Sequence, residues 1–273
     1  MKLTIPIRGE KISMQVAVSE HVHHRVTPFQ AIDVYDTEAL GRVLLLDGHV
    51  QLSTFDEHAY HESLVHIPML SIPSPSRALV VGGGDGGVLR ELVKHKSLSR
   101  IDMVEIDAGV IEVSREFLPR VSDGALDDPR VHLRIQDAFP FLQQVREPYD
   151  LIVLDVTDVY EGEDGALSEQ IFTEGFYRDC FAALSETGMI VTQADNHVFC
   201  PYSLAAILEM FGSVFPKVGC YQAAVPSFGG YSAFAWASKG QDMSLAMPDT
   251  RGLTLRYLNG ATYGFALRML DFA

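Results

Sequence analysis

From Ala78 onward the chain alternates short apolar runs with amphipathic stretches: ALVVG then GVLRELVKH, IDMVEI then VIEVSREFL, VHLRI then FPFLQQV, LIVLD then FTEGFYRDCFAAL, and finally MIVTQ from Met189. Each apolar run has the length of a strand buried on both faces, and each following stretch spaces its apolar residues at helical intervals. Strands connected through helices run parallel, and a parallel sheet needs helices over both faces. The pattern predicts an α/β fold built on a doubly wound, Rossmann-like sheet.

The section before it has a different period. Met14, Val16 and Val18 alternate, as do residues from Ala31 to Tyr35, and Val43–Leu46 faces Val50 and Leu52 across Asp47-Gly48. Asp-Gly between apolar runs signals a tight hairpin, because a type I′ turn needs positive φ at both central residues. Residues 56 to 70 read as a helix, stopped by the Pro-rich IPSPS from Ile72 to Ser76. We therefore divide the chain into a small antiparallel β domain, residues 1–55, and a Rossmann-like nucleoside-binding catalytic domain, residues 56–273. Near the end, a helix from about Tyr202 to Phe215 precedes two β-rich runs, Val218–Val225 and Tyr231–Ala237, expected to form an antiparallel edge pair.

In open α/β sheets, ligands bind at the carboxyl ends of the strands. Here those ends carry acids: Asp85 after the first strand, Glu105 ending the second, Asp137 after the third, and Asp155 and Asp158 after the fourth. Any one of them could be a helix cap. Together in one crevice they would repel one another unless a cationic or hydroxyl-rich ligand compensates. The whole chain has the same sign, with 21 Lys+Arg against 36 Asp+Glu and a formal charge of -15. Such a field disfavours nucleic acid and anionic membranes and suits a cationic substrate.

The segment Gly82-Gly83-Gly84-Asp85-Gly86-Gly87 satisfies the dinucleotide-binding pattern G-x-G-x-x-G, so a dinucleotide enzyme is an alternative. Gly82 and Gly84 would let backbone approach a ligand closely. Asp85 argues against a pyrophosphate there, because phosphates need amides and positive potential. A ligand carrying ammonium or sulfonium suits it better, with Glu105 placed to accept from ribose hydroxyls.

These residues resemble the spermidine synthase, or polyamine aminopropyltransferase, family, from about Gln30 to Lys239. The resemblance is carried by LLLDGHVQLSTFDEHAYHESLVHIP, LVVGGGDGGVLRELVKH, VEID, QDAFPFL, YDLIVLDVTD and VTQAD. It implies transfer of an aminopropyl group from decarboxylated S-adenosylmethionine, a co-substrate rather than a permanently bound cofactor, to a di- or polyamine, with release of 5′-methylthioadenosine. It implies that Gln30 and Gln51 contact the nucleoside and methionine-derived part, Glu105 the ribose, and Asp137 with Ala138 the adenine. Asp85 would hold the ammonium of the aminopropyl chain. Tyr60, His61, Asp158 and Gln193 would line the acceptor channel, with Asp158 anchoring the amine, and Asp155 would take the proton from the attacking nitrogen. The resemblance also suggests a homodimer, and no metal is required.

Two departures fall on the acceptor side. The family usually follows its Asp-x-x-Asp with proline and a short gate, where this chain reads DVTDVYEGEDGALSEQIF, with Val159 in the proline position. Glu161, Glu163 and Asp164 could face a longer amine than putrescine or form a solvated loop. Phe228 stands near a position where the family commonly has tyrosine, and cannot donate that hydrogen bond.

HESLVH from His61 is one residue too long for the zinc motif H-E-x-x-H, and His66 reads as structural. His21, His23 and His24 carry metal binding only as a minor reading. Cys180, Cys200 and Cys220 are odd in number and lack any C-x-x-C pair, which argues against a disulfide framework. The opening MKLTIPIRGEKISMQ has no apolar signal run, and no stretch has the length of a membrane span, so a cytoplasmic protein is expected. The competing functions are an S-adenosylmethionine-dependent amine N-methyltransferase and a non-catalytic polyamine- or nucleoside-binding protein.

Overall fold

The computed structural model describes residues 1–8, 11–157, 173–250 and 252–270. Five antiparallel strands in chain order form the first sheet: β1 (Lys2–Arg8), β2 (Ile12–Val26), β3 (Ala31–Thr37), β4 (Gly41–Leu46) and β5 (His49–Ser53). The β4–β5 turn has the expected geometry, with φ of 49° at Asp47 and 82° at Gly48. Period-two alternation divides this sheet's apolar residues between two clusters. Ile32, Val34 and Leu44 pack with Val110 and Val113, while Val43 and Leu45 pack with Ile5 and Val16.

The second sheet has seven strands: β6 (Arg77–Gly82), β7 (Arg100–Glu105), β8 (Val131–Ile135), β9 (Tyr149–Asp155), β10 (Leu184–Gln193), β11 (Lys217–Val225) and β12 (Gly230–Ser238). Their spatial order is β11-β12-β10-β9-β6-β7-β8. The five strands expected from the alternating pattern are parallel to their neighbours, and β12 continues the sheet antiparallel from β10 to the edge strand β11.

Eight helices are described: α1 (Glu57–Ser71), α2 (Gly87–Val93), α3 (Ala108–Phe117), α4 (Pro119–Ser122), α5 (Ala138–Leu142), α6 (Glu174–Ala183), α7 (Pro201–Val214) and α8 (Gly260–Ala266). Alternate residues of β6 serve opposite faces. Val80 packs with Leu64, Ile67, Val88 and Leu92 of α1 and α2, and Leu79 and Val81 pack with Phe176, Tyr177, Ile207 and Phe211 of α6 and α7. Burial on both faces is why these strands read as continuous apolar runs. The helix expected over 56 to 70 is α1, and it is buried along almost its whole length.

One carboxylate ties the end of the chain to this core. Glu62 is 1% exposed, and it accepts the backbone N–H groups of Arg256, Tyr257 and Leu258 at 2.6, 2.9 and 2.8 Å. Removing it would leave three donors without their acceptor. Glu62→Ala is expected to lower unfolding stability by about 3 kcal/mol, with Glu62→Gln recovering part of the loss. Chemical denaturation checks this, and an unchanged midpoint in Glu62→Ala would contradict it.

Candidate active site

The strand order reverses between β6 and β9, which is where an open parallel sheet leaves a crevice. Gly82, ending β6, lies opposite Asp155, ending β9, and the Gly83 N–H donates to the Asp155 carbonyl at 2.8 Å. At Gly82 φ is +77°, and a Cβ would stand 2.2 Å from the Asp155 carbonyl oxygen. Only glycine fits this close approach of two backbones. At Gly84 a Cβ would meet Val110 at 2.8 Å and the Glu105 carboxylate at 3.0 Å.

A cavity of about 670 Å³ opens over this junction. Gln30, Gln51, Tyr60, Gly82, Gly84, Asp85, Glu105, Asp137, Ala138, Asp155 and Gln193, all singled out from the sequence, line it. So does Phe228, whose ring meets that of Tyr60 edge to face with centroids 5.6 Å apart. Asp158, together with Val159, Glu161, Glu163 and Asp164, lies outside the described residues.

His61 departs from the expected position in the acceptor channel. It is 1% exposed and is not among the residues lining this cavity. Its Nδ1 lies 2.8 Å from Glu57 and its Nε2 3.4 Å from Asp85. The Glu57/His61 spacing of four residues places both on one face of α1 and was visible in the sequence. Glu57 also accepts from Nη1 and Nη2 of Arg90 at 3.0 and 2.7 Å, a partner on α2 that no local pattern could supply.

A neutral imidazole offers one N–H, so carboxylates at both ring nitrogens favour the imidazolium. Burial alone pulls His61 down, but the charges and hydrogen bonds of Asp85 and Glu57 outweigh it and push the group up to about 10. Burial likewise opposes ionisation of Glu57, and its bonds to His61 and Arg90 prevail, leaving it at about 2.

Asp155 accepts the Tyr60 hydroxyl at 2.7 Å. Burial and the neighbouring Asp85 charge push it up, the His61 charge and the Tyr60 bond pull it down, and it rests at about 6. An acid so placed is mostly ionised at neutral pH yet basic enough to take a proton. Glu105 is pushed up to about 7. Burial dominates there, and the Asp107 and Asp155 charges add to it against the backbone N–H bonds that favour the anion.

The first sheet supplies the opposite wall. Gln30 donates to Asp107 at 3.0 Å, and Thr27 donates to the same Asp107 oxygen at 2.7 Å. Asp107 itself caps α3 through the Gly109 N–H. Asp137 both caps α5, accepting the Phe139 N–H at 2.9 Å, and lines the cavity.

Sequence reasoning passed over Asp195, which lines the cavity in a left-handed conformation with φ of 61°. It follows MIVTQ closely, so the strand-end rule that found the other acids could have found it. Asp47, Asp85, Glu105, Asp137, Asp155 and Asp195 thus all line the cavity, and no described residue lining it is lysine or arginine.

Residues 57–246 match the family model described as a spermine/spermidine synthase domain, and residues 5–54 match a spermidine synthase tetramerisation domain. The polyamine aminopropyltransferase of Moorella thermoacetica is 40% identical over 232 residues, covering 85% of this chain and 80% of the relative. That of Bacillus subtilis is 38% identical over 243 residues, covering 89% and 86%. The crystal structure of spermidine synthase from Thermotoga maritima superposes with a TM-score of 0.90 at 28% identity, covering 100% of this chain and 92% of that one. A spermidine synthase in complex with the transition state analogue AdoDATO gives the same TM-score and identity, covering 93% of that chain.

Burial of Glu105 makes stability depend on pH. Its folded value of about 7 lies above its ordinary value, so burying the group, protonated, costs nothing at low pH. The cost grows as pH rises through that window and is complete above about 7, with an upper size of about 3 kcal/mol. Glu105→Gln lacks this cost. Its stability relative to the parent chain is expected to improve between pH 5 and pH 8, measured by chemical denaturation without ligand; parallel profiles would contradict the assignment.

Proposed function

The chain belongs to the spermine/spermidine synthase family, and we propose that it transfers the aminopropyl group of decarboxylated S-adenosylmethionine to a primary amine of a di- or polyamine. The observation that carries this reading is a cavity lined by six carboxyl side chains and, among the described residues, by no cationic lysine or arginine. Decarboxylated S-adenosylmethionine presents a sulfonium and an ammonium to such a wall, whereas the intact nucleoside adds a carboxylate with no cation to meet it.

In this reading Glu105 accepts from the ribose hydroxyls, Asp137 and Ala138 hold the adenine, and Gln30 and Gln51 close over the nucleoside from the first sheet. Gly82 and Gly84 let the backbone lie against it. Asp85 receives the ammonium of the aminopropyl chain. The acceptor enters along Tyr60 and Gln193, with Asp158 as its anchor by family resemblance and Asp195 as a further carboxylate on the Gln193 side.

An amine attacks only when neutral, and Asp155 takes the proton it releases. The nitrogen lone pair forms a bond to the propyl carbon next to sulfur, the carbon–sulfur pair returns to sulfur, and 5′-methylthioadenosine leaves. Because the sulfonium is already activated, the main contribution of the site is to hold nitrogen, carbon and sulfur in line. His61 acts from behind. Its positive charge, held by Glu57, which Arg90 pairs in turn, lies beside Asp85 and favours the ionised form of Asp155 until the cationic substrates arrive.

Residues 5–54 match a domain named for tetramerisation, and we take the chain to assemble through its first sheet, with the homodimer expected from the sequence as the smallest such unit. No described helix is long and apolar enough to cross a membrane, and no disulfide joins Cys180, Cys200 and Cys220; the cytoplasmic location is proposed from the sequence alone.

Mass spectrometry of decarboxylated S-adenosylmethionine incubated with putrescine, cadaverine, diaminopropane, agmatine and spermidine tests the activity. A gain of one aminopropyl unit on at least one amine is expected; methyl transfer from the intact nucleoside without aminopropyl transfer would overturn the reading. Asp155→Asn should lower turnover by about a hundredfold or more while sparing nucleoside binding.

In the same reading His61 sets the pH dependence of turnover. Without its charge Asp155 retains its proton to higher pH, so His61→Gln should move the acid limb of kcat/KM to higher pH. An unmoved limb with lower turnover would make His61 merely structural.

A further inference from the structure

On the first sheet, away from the cavity, β2 and β3 do not pair regularly. His21 lies opposite Tyr35 and His23 opposite Val34, so two steps along β2 match one along β3 and Val22 is the extra residue of a β-bulge. In an unbroken strand His21 and His24 would point to opposite faces. The bulge turns both to the face carrying Asp33 and Tyr35 and leaves His23 on the other, where its ring stacks on Phe117.

The result is a convergence of three donors. His21 Nε2 lies 2.7 Å and His24 Nδ1 2.9 Å from the same oxygen, Oδ1 of Asp33. The His21 ring is held flat against Tyr35, with centroids 4.3 Å apart and planes inclined by 14°. Both imidazoles are exposed, and Asp33 is partly buried beneath them.

We propose that His21, His24 and Asp33 form a binding site for a first-row divalent transition metal ion, with Zn²⁺ as its representative. Two imidazole nitrogens and one carboxylate oxygen are a donor set of this class, which calcium and magnesium, preferring all-oxygen shells, do not share. Metal–ligand bonds of about 2.0–2.1 Å in tetrahedral geometry place ligand atoms about 3.3 Å apart. The two histidines need to recede from Asp33 by only about half an ångström, which exposed side chains can do. Each neutral ring moves its proton to the outer nitrogen and offers its lone pair inward. The fourth position stays open to solvent. The ion would clip β2 to β3 across the bulge and so brace the sheet that supplies Gln30 and Gln51 to the cavity.

The described residues contain one other group of three such donors, His61, Asp85 and Asp155, so the experiment separates the two. Tag-free full-length chain and the variants His21→Asn, His24→Asn and His61→Gln are equilibrated with Zn²⁺ at pH 7.5, and bound metal and Tm are measured. The parent chain and His61→Gln are expected to hold about one ion per chain with a raised Tm, and His21→Asn and His24→Asn to bind at least roughly tenfold more weakly while retaining aminopropyl transfer. Equal zinc binding in the parent and both surface variants, or loss in His61→Gln alone, would overturn the proposal.

Discussion

Two carboxylates held side by side govern the rest of this site. Asp85 and Asp155 meet because the GGGDGG turn and the end of β9 are neighbours at the switch point of the sheet, joined by the Gly83 N–H bond to the Asp155 carbonyl. Like charges so close would share a proton unless something positive compensates. The fold supplies that charge from behind, as His61 backed by Glu57 and Arg90, and leaves the front of the crevice to be neutralised by ligand. A cationic donor and a cationic acceptor then complete the electrostatics of the pocket.

Much of this was legible in the chain. Apolar runs separated by amphipathic stretches pointed to the parallel sheet, and the Asp47-Gly48 turn to the last hairpin of the first sheet, because these features depend on local periodicity and backbone conformation alone. The strand-end acids were legible for the same reason, since each ends a strand whose direction is fixed by the pattern. Side-chain direction was not. His61 lies next to Tyr60 on α1, yet one faces the helix behind and the other the cavity, a difference set by where α2 brings Arg90 and the glycine-rich turn before it brings Asp85. The β-bulge at Val22 was also hidden, because two histidines three residues apart read as opposite-facing until the register slips.

The first sheet does more than precede the catalytic unit. Gln30 and Gln51 reach the cavity from it, and the Thr27–Asp107–Gln30 bonds fasten its β2–β3 turn to the start of α3. The nucleoside therefore sits, in the proposed reading, between two sheets, with backbone glycines on one side and amide side chains on the other. Whatever stiffens the first sheet bears on the placement of those amides, although none of its described acids other than Asp47 faces the cavity.

The central claim is that charge selects the donor: a crevice lined by six carboxyl side chains and, among the described residues, by no lysine or arginine accepts the decarboxylated nucleoside and rejects the intact one. Isothermal titration of the chain with decarboxylated and with intact S-adenosylmethionine tests it most directly. The account requires the decarboxylated form to bind more tightly by at least roughly a hundredfold, equivalent to about 3 kcal/mol, because the intact form brings a carboxylate that the acidic wall repels. Equal affinities, or tighter binding of the intact nucleoside, would contradict it.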